Sequence, residues 1–154
     1  MLLRDAPWTA PNLPAIYPVT PPKPRVRVAV FGSFHGGYHV LRQLLREPLA
    51  AHCQVMGLVT DDPKQPFTHA NVRLWRYVHT KIEEEWVAKM ARAQGLPVYR
   101  GRVKAPEFER MFVEDWAPDL CLMATFGQLI PKQIFTVPRL GFYNFHHSDV
   151  MPHP

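Results

Sequence analysis

In this 154-residue chain, the side chains best suited to chemistry lie in Gly141-Phe142-Tyr143-Asn144-Phe145-His146-His147-Ser148. The apolar alternation predicts a strand, and period two puts Asn144 and His146 on one side of it. A carboxamide beside an imidazole can donate hydrogen bonds to an oxygen that becomes negative in a tetrahedral intermediate. The imidazole can also move a proton near neutral pH. A hydrogen-bonded structural role for His146 is the alternative. A metal site built from His146, His147, Asp149 and His153 is disfavoured, because their spacing matches no known ligand set and the segment is extended.

Two other segments could meet a ligand. Gly32-Ser33-Phe34-His35-Gly36-Gly37 follows an apolar run and precedes a helical pattern. It does not match the dinucleotide fingerprint, and no Lys-Ser or Lys-Thr follows as in a phosphate-binding P-loop. Glycines before a helix N-terminus can cradle a phosphate, and a tight turn that needs small residues fits equally well. In Ala124-Thr125-Phe126-Gly127-Gln128-Leu129-Ile130-Pro131 an apolar strand runs out into a glycine and a polar side chain. Backbone groups exposed there could read the edge of a flat heterocycle; a plain strand exit is the other reading.

The elements that must position these segments alternate along the chain. Val26–Phe31 and Val55–Val59 read as buried strands, with Val40, Leu41, Leu44 and Leu45 at helical spacing between them. Asp61-Asp62-Pro63 turns the chain. Ile82, Trp86 and Met90 mark a helix face, and Gly95 stops that helix. Pro97-Val98-Tyr99 is a short strand, and Phe108, Phe112, Val113 and Trp116 mark another helix. Leu120–Thr125 is a continuous apolar run of the kind buried on both faces of a parallel sheet. A short helix-like piece follows Pro131, and Phe142–Phe145 is the last strand. Alternation of this kind predicts an α/β fold, a doubly wound, mostly parallel sheet of Rossmann-like type. Ligands of such sheets bind beyond the carboxyl ends of the strands, where all three segments fall.

Composition narrows the class. The chain is 47% hydrophobic and 20% charged, which suits one globular domain. Seventeen prolines are many, and they concentrate in residues 1–25, an arm ahead of the domain at 26–154. The formal net charge of +5 favours anionic partners, although the basic residues are scattered. Cys53 and Cys121 adjoin apolar runs and read as reduced core residues of a cytoplasmic protein. No apolar run is long enough to span a membrane, and no secretory leader is visible.

The stretch from Gly95 to Pro152 resembles the folate-dependent formyltransferase family. The pieces occur in order: Gly95-Leu96-Pro97-Val98-Tyr99, Ala117-Pro118-Asp119-Leu120, Phe126-Gly127-Gln128-Leu129-Ile130-Pro131, Pro138-Arg139-Leu140-Gly141, then Asn144-Phe145-His146 with Ser148 and Pro152. They cover about a third of the chain, and the first strand and loop fit more loosely. The resemblance implies a formyl transfer from 10-formyltetrahydrofolate to a small-molecule amine, with Asn144 and His146 catalytic. It implies that Phe126, Gly127, Gln128, Leu129 and Ile130 hold the folate, and that Gly32, Ser33, Gly36 and Gly37 face the acceptor. The expected acceptor is a nucleotide-linked amino sugar, because residues 64–80 lack the motifs of the methionyl-tRNA enzymes; the basic charge keeps tRNA open but not favoured. Two departures stand out. Ser148-Asp149-Val150-Met151-Pro152 replaces the usual Ser-Leu-Leu-Pro. The family's catalytic aspartate lies downstream of residue 154, and Asp149 is too near His146 to replace it. An incomplete sheet is therefore expected at the C-terminus, with exposed edges that favour a homodimer. The alternative function is a catalytically silent fragment that only binds a ligand or a partner protein.

Overall fold

The computed structural model describes residues 24–62, 64 and 81–146, with side chains described from residue 85 in the last stretch. The expected alternation is present. Five strands form one sheet: β1 (Val26–Gly32), β2 (Cys53–Val59), β3 (Val98–Tyr99), β4 (Leu120–Ala124) and β5 (Phe142–Phe145). The spatial order is β3-β2-β1-β4-β5, and every neighbouring pair is parallel. The chain moves outward from β1 through β2 to β3, then returns to the other side of β1 as β4. The change of direction lies between β1 and β4, which is the switch point of a doubly wound sheet.

Alternation along β1 divides the core in two. Val28 and Val30 face Leu41 and Leu44 of α1 (Phe34–Leu44) and Val87 and Ala91 of the helix Lys81–Ala93. A one-turn helix, α2 (Leu49–His52), comes between them in the chain, so Lys81–Ala93 is α3. Its buried stripe is Val87, Ala88 and Ala91, with Trp86 and Met90 at the margins. Small alanines rather than the bulky residues take the central positions, because α3 packs closely against α1.

Ala29 and Phe31 face the other layer, where Phe108, Phe112 and Trp116 meet Val59, Cys121 and Ile134. Phe108 lies on α4 (Pro106–Arg110), which continues into a π-helical turn, Met111–Trp116. The wider turn shifts the side-chain phase, and the Trp116 ring packs against β2 at Gly57. Gly57 makes this fit, since a Cβ there would collide with the Trp116 ring. Gly57 comes just after a register shift that leaves Met56 without a partner on β1. The last helix is one turn, α5 (Lys132–Phe135), and its Ile134 closes this layer.

At the amino ends of the strands, Asp119 ties three elements together. Its carboxylate accepts from the Arg27 backbone N–H at 2.9 Å and from Arg139 Nε at 2.8 Å. Its own N–H donates to Arg27 O, and its carbonyl accepts from Leu140 N, both at 2.8 Å. Arg27 in turn donates through Nη2 to the Trp116 carbonyl at 2.6 Å, at the end of the π turn. The Arg27 N–H bond, above the other contacts, holds the Asp119 carboxyl below its ordinary pKa.

Asp119→Ala leaves the Arg27 N–H without that acceptor and is expected to destabilise the fold by about 1 kcal/mol. Because the folded carboxyl is the stronger acid, the stabilisation is fully present above the ordinary carboxylate pKa. It is lost as pH falls through the folded value. Urea unfolding of both proteins from pH 7 downward should show the gap narrowing in acid; a gap that does not change with pH would show that the carboxylate charge has no part in it.

Candidate functional site

The strand ends that face the switch point finish at one level. Gly32, Ala124 and Phe145 sit opposite one another across β1, β4 and β5. Phe31 pairs with Val59, so β2 ends one residue before that row and Thr60 comes level with it. The residues that follow, Ser33, Thr60, Thr125 and His146, therefore share one edge of the sheet.

The first of these segments is tighter than the open loop expected from Gly32 to Gly37. Gly32 closes β1, Ser33 alone links strand to helix, and Gly36 and Gly37 already lie in the first turn of α1. The glycines have a steric task. A Cβ on Gly32 would stand 2.6 Å from Gly37 Cα, and one on Gly37 would stand 2.5 Å from the Gly32 carbonyl carbon. A Cβ on Gly36 would strike the Thr125 hydroxyl. The helix thus begins almost in contact with β1 and the exit of β4. Phe34 and Thr125, on the two sides of the switch point, have φ of 52° and 54°. Bulky and β-branched residues rarely occupy that region, and such strain gathers where surrounding contacts fix an unusual backbone. One of those contacts is the Ser33 N–H to Thr125 carbonyl bond, 2.9 Å long.

Asp61, expected only to turn the chain, is buried at the centre of this edge. Its Oδ2 accepts from Ser33 Oγ at 2.9 Å and from the Gly127 N–H at 2.8 Å. The Asp61 N–H returns a bond to Ser33 Oγ at 3.0 Å, and Thr60 Oγ1 lies 3.2 Å from the same hydroxyl. Among the described residues Oδ1 has no hydrogen-bond partner. Arg100 donates to the Asp61 carbonyl at 3.3 Å while its guanidinium pairs with Glu85 at 2.9 Å. Burial pushes the Asp61 carboxyl up to about 6, against the pull of the Ser33 and Gly127 hydrogen bonds and the Arg100 charge. A sequence signal existed: Thr60-Asp61 directly follows an apolar strand and so falls at the ligand-binding edge. The adjacent Asp62-Pro63 made a solvent turn the simpler expectation.

The expected folate segment, Phe126 to Ile130, leaves β4 beside this carboxylate. Phe126 packs its ring 5.6 Å from Phe31. Gln128 turns its amide inward: Oε1 accepts from Val103 N and Nε2 donates to Gly101 O, both at 3.0 Å. The polar side chain therefore braces the loop after β3. Among the described residues, the peptide N–H groups of Gln128, Leu129 and Ile130 have no backbone partner, and Leu129 is 82% exposed. An unpaired stretch of backbone at a strand end fits the donor and acceptor edge of a flat heterocycle.

Asn144 lies opposite Met123 on β5 and is exposed; His146 follows the strand and is exposed too. Phe142 packs into the Phe31 layer, so alternation puts Asn144 on that face and Tyr143 and Phe145 on the other. The remaining residues considered for chemistry or for the loop, His147, Ser148, Asp149, Pro152 and His153, lie outside the described residues, as do the arm up to residue 23 and residues 65–80.

No family model matches the chain. Curated relatives do. A methionyl-tRNA formyltransferase of Cyanothece sp. is 31% identical over 128 residues, which is 82% of this chain and 34% of the relative. The enzyme of the same name from Macrococcus caseolyticus is 42% identical over 64 residues, and that from Thermus thermophilus 37% over 62. Each of those two matches covers 40% of this chain and 20% of the relative. The chain is related to the formyltransferases. It spans about a third of the length of the Cyanothece enzyme.

The relatives correct the expected acceptor. A nucleotide-linked amino sugar, with tRNA disfavoured, has no support among formyltransferases that are named for methionyl-tRNA. That expectation rested on motifs missing from residues 64–80. Connecting segments vary most between relatives, so such an absence decides little.

Asp61→Asn tests the buried carboxylate. A carboxyl raised from 3.8 to about 6 by folding binds its proton more tightly in the native state. Its charge therefore costs stability, an effect that grows as pH rises from about 4 to about 6 and is complete above that. The asparagine variant should gain on the native protein by up to about 3 kcal/mol between pH 4 and pH 7.5. Parallel unfolding curves at the two pH values would refute this.

Proposed function

We propose that this chain forms part of an enzyme that transfers a formyl group from 10-formyltetrahydrofolate to the amine of methionyl-tRNA. The observation that carries the reading is the common level of the strand ends: Gly32, Ala124 and Phe145 align. The Ser33 turn, the Gly127 segment and the Asn144–His146 pair thereby share one edge, at the place where open α/β sheets bind ligands. The names of the relatives supply the reaction and the acceptor. The net charge of +5 suits a polyanionic acceptor.

When bound, 10-formyltetrahydrofolate supplies the formyl carbon to the attacking amine. The free peptide groups from Gln128 to Ile130 hold its ring by the hydrogen bonds they lack within the fold. Asn144 would donate its carboxamide N–H to the formyl oxygen as negative charge builds there, a stabilisation worth several kcal/mol when the donor is preorganised. His146 would donate to the same oxygen; as the new C–N bond forms and the bond to the folate nitrogen breaks, the proton lost by the acceptor nitrogen would pass to that departing nitrogen. The turn built from Gly32, Ser33, Gly36 and Gly37, whose own atoms are largely buried, would underlie the acceptor side of this edge. A cytoplasmic setting agrees with Cys53 and Cys121 as free thiols, the second kept protonated by burial.

His146→Ala should lower the transfer rate at least about a hundredfold with methionyl-tRNA as acceptor, the usual size of a lost acid–base or oxyanion contribution. Activity that survives the substitution would remove His146 from the mechanism. Titration of the chain with 5-formyltetrahydrofolate, a stable analogue of the donor, should show binding with chemical-shift changes at Gln128–Ile130. Binding without transfer would favour the silent fragment, and no binding would refute the folate reading.

A further inference from the structure

We propose that Asp61 is a positioning residue for formyl transfer: its carboxylate fixes the donor-side Gly127 segment to the acceptor-side Ser33 turn, so that the two halves of the cleft are held as one unit. The inference rests on the functional reading above. Asp61 touches neither substrate in this scheme; it acts through Gly127 and Ser33.

The geometry is specific. One oxygen, Oδ2, serves both sides, at 2.9 Å from Ser33 Oγ and 2.8 Å from Gly127 N. A shift of either partner therefore strains the bond to the other. Ser33 is held a second time by its N–H to the Thr125 carbonyl and a third time by the Asp61 N–H. Asp61, Ser33, Thr125 and Gly127 thus form a ring of contacts that crosses from β2 to β1 to β4. Gln128 extends it to β3 by clamping Gly101 and Val103. Gly127 needs the tie because the next peptide groups, from Gln128 to Ile130, have no backbone bonds of their own among the described residues. Asp61 is 1% exposed, and the cost of burying a carboxylate at this depth is only partly offset by its bonds to Ser33 and Gly127.

The test uses three variants of the full chain: Asp61→Ala, Asp61→Asn and Ser33→Ala. Asparagine keeps a carbonyl oxygen that can accept from both Gly127 N and Ser33 Oγ; alanine keeps neither. Affinity for 5-formyltetrahydrofolate should fall at least about tenfold in Asp61→Ala and return to within about threefold of native in Asp61→Asn, matching the loss of two hydrogen bonds and their replacement by two neutral ones. Ser33→Ala leaves the donor segment untouched in sequence, yet should also weaken the analogue, and its effect should not add to that of Asp61→Ala. Additive effects, or native affinity in Asp61→Ala, would overturn the proposal. Amide exchange at Gly127 reads the tie without any ligand. Exchange at least about tenfold faster in Asp61→Ala, with native exchange in the core strands, supports it; unchanged exchange at Gly127 refutes it. Should Asp61→Ala fail to fold, Ser33→Ala and Asp61→Asn decide by the same exchange measurement. A native chain that fails to bind the analogue would count against the folate reading alone, since the exchange result stands apart from it.

Discussion

The close approach of α1 to the end of β1 is the constraint from which the site follows. Two glycines, Gly32 and Gly37, meet with no room for a Cβ on either, and Gly36 meets Thr125 in the same way. Only then can a single residue, Ser33, turn the chain from strand to helix. That short turn brings the Ser33 hydroxyl within reach of Asp61, and Asp61 reaches Gly127. A longer turn would take the Ser33 hydroxyl away and leave the buried carboxylate with the Gly127 N–H alone, which is unfavourable. Backbone contact, side-chain polarity and loop placement are thus one chain of causes.

The two poles of the sheet are built from opposite electrostatics. At the amino ends Asp119 is partly open to water and stays charged, because Arg27 N–H and Arg139 surround it. At the carboxyl ends Asp61 is sealed in and resists ionisation. The first arrangement stabilises the fold at neutral pH; the second costs stability there and keeps loops in register. Sites that must hold ligands are commonly the places where a fold gives up stability.

Much of the fold was legible because its signals are local. Val26–Phe31, Val55–Val59 and Leu120–Ala124 are apolar runs too short for helices, with breaks on either side. The Leu41–Leu44 and Phe108–Phe112–Trp116 spacings are helical. What local patterns could not carry was phase and contact. The π turn shifts Trp116 onto Gly57, and the helix over Lys81–Ala93 buries Val87, Ala88 and Ala91 while Trp86 and Met90 stay half-buried. In the site, the strand-end placement of Asn144 and Gly127 followed from alternation. The burial of Asp61 did not, because it depends on Ser33 and Gly127, 28 and 66 positions away. The sequence pointed to the backbone of the Gln128 segment; that the Gln128 amide braces Gly101 and Val103 depends on contacts 25 and 27 positions away and was not legible.

Phe31 touches Phe108, Phe112, Phe126 and Phe142 with ring centroids between 5.0 and 6.2 Å. Two of these rings belong to the working edge: Phe126 opens the segment that bears Gly127, and Phe142 stands two positions before Asn144. A single side chain on the central strand is therefore the shared backstop for both segments of the proposed site. Trimming it would let the two surfaces relax together, so a substitution in this aromatic nest would reach both segments of the proposed site without changing a residue in either.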